Sequence, residues 1–453
     1  MAYSDQPDNT SELGQLLLWL FPIPLLGFAL TAGSGGAGDF GALYWVSITA
    51  IGCGLLVLLM IYGASAFAGQ NRRRLASTFG PSVRVMMIAL AASVICQAAL
   101  FVVGIFLGES SLIGRVHGGL LLAVSLGALA ASFTLVTASL KFLRNSPMTV
   151  RGAQLLAEEE PKIWGAVRLC AEKLGAVVPD NIVVGLEPNF YVTSSDINLI
   201  GKGGEIKGNT LYVSSTLMRI LTVGELTAII GHELGHFRGE DVHFSTKFAP
   251  TYSRLGHALV GLATDDEGAS ALAKVPALAA ISTSLNRFAI AERAISRDRE
   301  FAADAAGAEA TSAHELANAL LKVCAMSAFW NSLTQWNISE LEQGRFYDRL
   351  TESFCAICKT QSSELDWSKT MDDLLATQQP HPIDTHPPLS QRIAAVGVSS
   401  EALKIGPETV PDRSSIELLM DYEGLDEGLS YLEAKWLEAI GAFQPAIENG
   451  GDS

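Results

Sequence analysis

Basic residues are scarce in this 453-residue chain, where 31 Lys and Arg stand against 47 Asp and Glu for a net charge of −16. That balance cannot assemble the basic stripe that neutralises phosphates, which excludes nucleic acid as a partner. Charge of either sign is scarce too, at 17% of residues, whereas 49% are hydrophobic and the mean hydropathy is +0.29. So apolar a composition does not suit a water-soluble protein of this length, and part of the chain is expected in lipid. Cysteine is limited to six scattered residues, too few and too spread for a disulfide framework. Cys53 and Cys96 fall in apolar runs, and Cys170 and Cys324 fall at core positions of amphipathic helices. Cys355 and Cys358 form a CxxC with no second pair to complete a four-ligand metal site, so they read as neighbours on a helix.

Long apolar runs are what the first third does have. They lie at about 13 to 33, 41 to 68, 84 to 108 and 118 to 140, each long enough for a helix to cross a hydrocarbon core of about 30 Å. Four transmembrane helices are therefore expected. None carries Asp, Glu, Lys or Arg at mid-membrane depth, where transporters and proton relays need them, so the bundle reads as an anchor. The stretch before the first run has Asp5, Asp8 and Glu12 and no basic residue, unlike the positive start of a cleaved signal, so the first helix is expected to stay.

Past residue 145 the patterning changes. An amphipathic helix is read from Glu158 to Gly175, with Pro161 in its first turn and Ile163, Val167, Cys170 and Leu174 on one face. Strands are read at Asn181 to Gly185, Asn189 to Thr193 and Thr210 to Ser214, with a Gly-rich stretch around Gly201 to Gly208 between the last two. Thr222 with Glu225 makes a capping box, which starts a helix that runs to about Phe237. Helices continue to about 375. A Pro/His-rich loop follows at Gln378 to Pro388, and then an acidic tail that reads as a solvated surface.

The helix after Thr222 carries Gly231-His-Glu-Leu-Gly-His236, an HExxH in which the helical repeat puts His232, Glu233 and His236 on one side. Two imidazoles so placed can bind one ion. Their neutral nitrogens suit zinc, and Glu233 stands where it can take a proton from water. A metzincin needs a third histidine at 242, but that residue is Val242, and His243 comes one place late. The remaining ligand is better sought in Glu300 and Asp304, one helical turn apart, where one carboxylate can ligate and the other orient a histidine. The run Asn189, Phe190, Tyr191, Val192, Thr193 is rich in β-formers and can offer an edge to which a peptide adds as an extra strand.

These blocks, together with Glu160-Pro-Lys-Ile163, Gly208 to Val213, Arg299 to Asp304 and Thr385-His-Pro-Pro388 with Arg392, stand in the order found in one family. The chain resembles the membrane zinc metalloproteases that include HtpX and the CAAX prenyl proteases. The resemblance implies zinc ligation by His232, His236 and Glu300, Glu233 as general base, and a supporting role for Asp304. It also implies that His386, stiffened by Pro387 and Pro388, donates to the oxyanion while Arg392 holds that loop.

The fold expected is an α-helical membrane anchor (1–145), a mainly α, α+β zincin-like domain with a small sheet beside the HExxH helix (146–396), and an acidic helical tail (397–453). The function expected is a zinc-dependent endopeptidase with one zinc per chain. It would act on membrane or misfolded proteins at the cytoplasmic face of a bacterial-type inner membrane, with the bilayer and protein or peptide substrates as its partners. A catalytically silent zinc-binding regulatory membrane protein is the alternative.

Orientation follows from seven basic residues on one side, Arg72, Arg73, Arg74, Arg84, Lys141, Arg144 and Arg151, against Arg115 on the other. A reporter fused after Arg151 should therefore be active in its cytoplasmic form, and an extracytoplasmic signal there would reverse the assigned topology.

Overall fold

A computed structural model describes residues 9–34, 40–69, 71–143, 147–238, 270–376, 387–403, 405–406 and 409–443. By contact the chain separates into two compact units, Met1–Asn145 with Lys247–Ile295, and Ser146–Thr246 with Ser296–Ser453.

The first unit is helical. Helix α1 (Asn9–Leu20) ends where Pro22, which has no N–H to give, opens α2 (Pro22–Thr31). Helix α3 (Gly41–Leu58) passes through a π turn at Leu59–Gly63 into α4 (Ala64–Ala68). Helix α5 (Arg72–Gly108) starts at Asn71, whose side chain accepts from Arg74 N at 3.0 Å. The apolar run read at 84 to 108 is thus the later part of a longer helix, and the arginines at 72–74 sit on its first turn. Helix α6 (Gly118–Leu143) follows.

Among the described residues, Leu13–Thr31, Gly41–Ala68 and Ser77–Ser111 are long and apolar enough to cross a membrane. The fourth expected span is helical as read. Leu18, Leu30, Leu55, Phe101, Leu122 and Phe133 all face outward, an exposure that suits lipid and not water. A long helix, α10 (Ser270–Ala310), contributes its part up to Ile295 to this unit, where Phe288 packs edge-on against Phe79.

In the second unit a six-stranded sheet runs in the order β3-β6-β2-β1-β4-β5. Its strands are β1 (Met148–Leu155), β2 (Asn181–Gly185), β3 (Tyr191–Thr193), β4 (Ile197–Lys202), β5 (Gly204–Ile206) and β6 (Thr210–Ser214). The strands read from sequence are β2, β3 and β6. β1 lies between β2, antiparallel, and β4, parallel, while β6 joins β2 in parallel and β3 in antiparallel. The Gly-rich stretch forms a hairpin of β4 and β5, with Gly201 at φ +130 where it passes against Gly152 of β1.

Helix α7 (Pro161–Leu174) buries Ile163, Val167, Cys170 and Leu174 as its periodicity requires, and shares one core with Ile182, Val184, Leu211 and Val213 of the sheet. A short α8 (Ser215–Met218) leads to α9 (Val223–Gly235), the HExxH helix, with both bonds of the capping box formed. After α10 come α11 (Ala313–Met326), α12 (Phe329–Glu342), α13 (Leu350–Glu364), α14 (Trp367–Ala376), α15 (Leu389–Ala395) and α16 (Tyr422–Ala439). Cys324 is exposed on α11 and not in the core, whereas Cys358 is fully buried on α13, where burial drives its thiol pKa well up and leaves it inert.

The C-terminal stretch differs most from its reading as a solvated acidic surface. Val398, Leu403, Ile416, Leu419 and Leu429 join the main core, and two acids of α16, Asp426 and Glu433, are buried. Helix α13 has no cap of its own, and α16 supplies one. Asp426 accepts from the Thr351 N–H at 3.1 Å and from the Thr351 hydroxyl, and Ser430 Oγ accepts from the Leu350 N–H at 3.0 Å. An N-cap deletion costs about 1 to 2 kcal/mol. Asp426→Ala should therefore lower the unfolding free energy of this unit by that order, read in urea as a lower midpoint with an unchanged slope.

Candidate active site

The site is built where α9 crosses the later part of α10. Its spacing is set by side chains that are missing. A Cβ on Gly231 would stand 2.5 Å from Ala310 Cβ, one on Gly235 would stand 3.0 Å from Ala303 Cα, and one on Gly307 would stand 2.7 Å from the Ala228 carbonyl oxygen. Glycine and alanine on both faces let the two backbones approach more closely than larger residues allow.

That approach brings the histidines of one helix to the carboxylates of the other. His232 Nε2 lies 3.5 Å from Glu300 Oε2, and His236 Nε2 lies 3.4 Å from Glu300 Oε1. The two imidazole rings are nearly perpendicular, with centroids 5.0 Å apart. One atom from each of His232, His236 and Glu300 falls within 4.8 Å of the others, so the three can hold a single metal ion. Two neutral imidazoles and one carboxylate are a donor set for a divalent transition metal, with room left for a further ligand.

Behind the donors stands a second row of charge. His232 Nδ1 is 2.9 Å from Asp304 Oδ1, an arrangement in which the ring donates its Nδ1–H to the carboxylate and turns a bare Nε2 toward Glu300. Asp304 is fully buried, and both of its oxygens are taken by Arg392, from Nε at 2.9 Å and from Nη2 at 2.7 Å. Burial alone would raise the Asp304 pKa, but its bonds to Arg392 and His232 outweigh burial and hold the carboxyl below its usual range. For Arg392 burial pulls the other way, and the pairing with Asp304 more than restores the charge.

Glu233, between the two histidines, is also buried, and its charge bears on Arg392 together with those of Asp304 and Glu300. Three carboxylates gathered beside one guanidinium make a surround that suits a cation. The residues present therefore fit a metal on charge as well as on geometry.

Of the residues singled out from sequence, the fold gathers His232, Glu233, His236, Glu300, Asp304 and Arg392 at this crossing. The Arg392 guanidinium is found on Asp304, and the Pro-rich loop that it was also expected to hold lies, up to His386, outside the described residues. His386 lies outside the described residues. Asn189, Phe190 and Tyr191 lead into and begin β3, which among the described residues pairs only with β6 and so is an edge, with Tyr191 stacked on Tyr212 at 4.7 Å.

Sequence reasoning did not find the role of the glycines. It also missed Lys322 of α11, whose ammonium is buried 2.8 Å from Glu225 and neutralises the capping box of α9. A charged residue in the middle of an otherwise apolar helix face was the available signal.

Gly235→Ala must push the two helices apart. Overpacking of this kind costs about 1 to 3 kcal/mol. The variant should show that loss in thermal unfolding together with a weaker affinity for added divalent metal, measured by competition with a chelator, whereas Gly165→Ala, within α7 and with nothing near its missing side chain, should leave metal affinity alone.

Residues 177–398 match the model of peptidase family M48. The chain is 25% identical over 241 residues to a protease HtpX homologue of Archaeoglobus fulgidus, covering 52% of this chain and 67% of the relative. It is 31% identical over 177 residues to a protease HtpX homologue of Thermococcus kodakarensis, covering 36% and 57%. With one from Gemmatimonas aurantiaca the identity is 31% over 192 residues, covering 40% and 64%. The chain thus spans roughly three fifths to two thirds of the length of these relatives. No solved structure matches it. These matches, with His232, Glu233, His236, Glu300, Asp304 and Arg392 all inside the matched stretch, make residues 177–398 similar to peptidase family M48.

Proposed function

We propose that the chain is a membrane-anchored, zinc-dependent endopeptidase that hydrolyses peptide bonds of membrane or misfolded proteins at the cytoplasmic face of a bacterial-type inner membrane. The observation that carries this reading is the convergence of His232, His236 and Glu300 within 4.8 Å, backed by the buried Asp304–Arg392 pair, in a stretch similar to peptidase family M48. The domains proposed remain an anchor at 1–145, a protease domain at 146–396 and a C-terminal helical part at 397–453.

His232, His236 and Glu300 hold one zinc ion per chain. Zinc bound there supplies Lewis-acid chemistry, polarising the scissile carbonyl and making water acidic enough to attack near neutral pH. Glu233 takes the proton of the attacking water on its carboxylate and returns it to the leaving amine. Asp304 keeps His232 in the tautomer with a free Nε2, and Arg392 keeps Asp304 ionised. The peptide adds to the outer edge of β3, where it makes main-chain hydrogen bonds along Tyr191–Thr193, with Asn189 and Phe190 at the entry. His386 donates to the developing oxyanion.

The silent zinc-binding alternative makes the opposite prediction about Glu233, so a small set of variants decides between the readings. Glu233→Gln should keep stoichiometric zinc by elemental analysis and lose peptide turnover, while His232→Ala and Glu300→Ala should lose the metal. A Glu300→Ala protein with full zinc would remove that residue from the ligand set, and turnover by Glu233→Gln equal to that of the native chain would sink the proposed chemistry. Tyr191→Pro, which removes a ladder donor, should raise KM with any cleavable peptide.

A further inference from the structure

The connection from β2 to the edge strand β3, through Leu186, Glu187, Pro188, Asn189 and Phe190, is held at three points. Ser215 Oγ donates to the Gly185 carbonyl at 3.0 Å and Thr216 Oγ1 to the Leu186 carbonyl at 2.8 Å, which ties its beginning to α8. The third point is Arg151 of β1, whose Nη2 lies 2.5 Å from Glu187 Oε1. At the same residue the chain turns, with Asn189 N donating to the Glu187 carbonyl at 2.7 Å.

Arg151 cannot follow Glu187 if the turn moves, because α16 grips it from the other side. Glu433 Oε2 is 3.4 Å from Arg151 Nε, and the guanidinium lies over the Trp436 ring, 3.6 Å from its centroid. The two halves of this link differ in exposure. The Glu433 side chain is 7% exposed and that of Arg151 16%, so their attraction is little screened, whereas Glu187 is 53% exposed. Arg151, held on the buried side by the ion pair and the ring, therefore extends one more exposed hydrogen bond to the turn that delivers β3.

We propose that Arg151 is a positioning residue for the substrate-pairing edge: clamped by Glu433 and Trp436 of the C-terminal helix, it holds Glu187 and so fixes where Tyr191–Thr193 stands to receive a peptide. This rests on the reading of β3 as that edge. A three-residue strand with one neighbour has few bonds of its own to set its position, and loosening it lowers the fraction of molecules ready to pair. Apparent affinity falls with that fraction, while the chemistry at the α9–α10 crossing is untouched. The clamp therefore acts on KM and not on kcat. It also explains why α16, far along the chain from the HExxH motif, is packed into the unit by a buried acid and an aromatic ring.

The test uses the full chain in detergent or vesicles, an unstructured cleavable peptide, and the variants Glu187→Gln, Arg151→Met and Arg151→Lys. Glu187→Gln cuts only the exposed half of the link. It should raise KM about fivefold, the scale of one exposed ion pair, with kcat, metal content and thermal midpoint as in the native chain. Amide exchange at Tyr191–Thr193 should be faster in this variant and unchanged on α9. Arg151→Met should raise KM further, at some loss of stability from the stranded Glu433, and Arg151→Lys should recover part of the affinity. Native KM with native exchange at Tyr191–Thr193 in Glu187→Gln overturns the proposal, as does a fall in kcat at constant KM. If the native chain itself cleaves no better than Glu233→Gln, the peptidase reading fails instead, and the exchange rates still decide whether Arg151 positions β3.

Discussion

How closely two helices can approach governs this molecule. α9 supplies two imidazoles and α10 a carboxylate, and neither helix alone has three donors for one ion. They form a set only because Gly231, Gly235 and Gly307 remove the side chains that would hold the backbones apart. The same contact line carries Ala303, Ala306 and Ala310, so the crossing is dry and close-packed over its length. A distance fixed by packing is stiff, and a metal set needs that stiffness because ligand positions are tolerated only within a few tenths of an ångström.

Packing at that distance creates an electrostatic problem. Three buried carboxylates, Glu233, Glu300 and Asp304, are drawn together, and unpaired buried charge is among the most costly features a fold can carry. Arg392 answers part of it with a bidentate bond to Asp304, which also orients His232. A divalent cation held by His232, His236 and Glu300 would add to that compensation. The same logic recurs at the other end of α9, where Lys322 neutralises Glu225 of the capping box out of contact with solvent. The HExxH helix is thus pinned by charge at both ends, each time by a residue distant in sequence.

The C-terminal part belongs to this scheme and is no appendage. Met420 N donates to Glu160 Oε2 beside the start of α7, Ser415 bonds to the end of α8, and α16 caps α13 through Asp426 and Ser430. Each bond joins residues 75 or more apart in the chain, which gives the M48 stretch a frame that its own boundaries do not contain.

The sequence by itself determined whatever depends on near neighbours. The apolar runs, the capping box at Thr222 and Glu225, the buried face of α7, the strands β2 and β6, and the HExxH with its later Glu300 and Asp304 are all local patterns whose period or spacing has a single physical meaning. β1 escaped notice because Arg151 and Gly152 interrupt its alternation, and β4 with β5 because glycine usually marks a loop. Only tertiary structure decided that Gly231, Gly235 and Gly307 meet alanines, that Arg392 rests on Asp304, that Lys322 reaches Glu225, and that an acidic tail folds inward through Asp426 and Glu433. These residues look ordinary in a linear chain, since a small side chain or a lone charge acquires its role only from the surface brought against it.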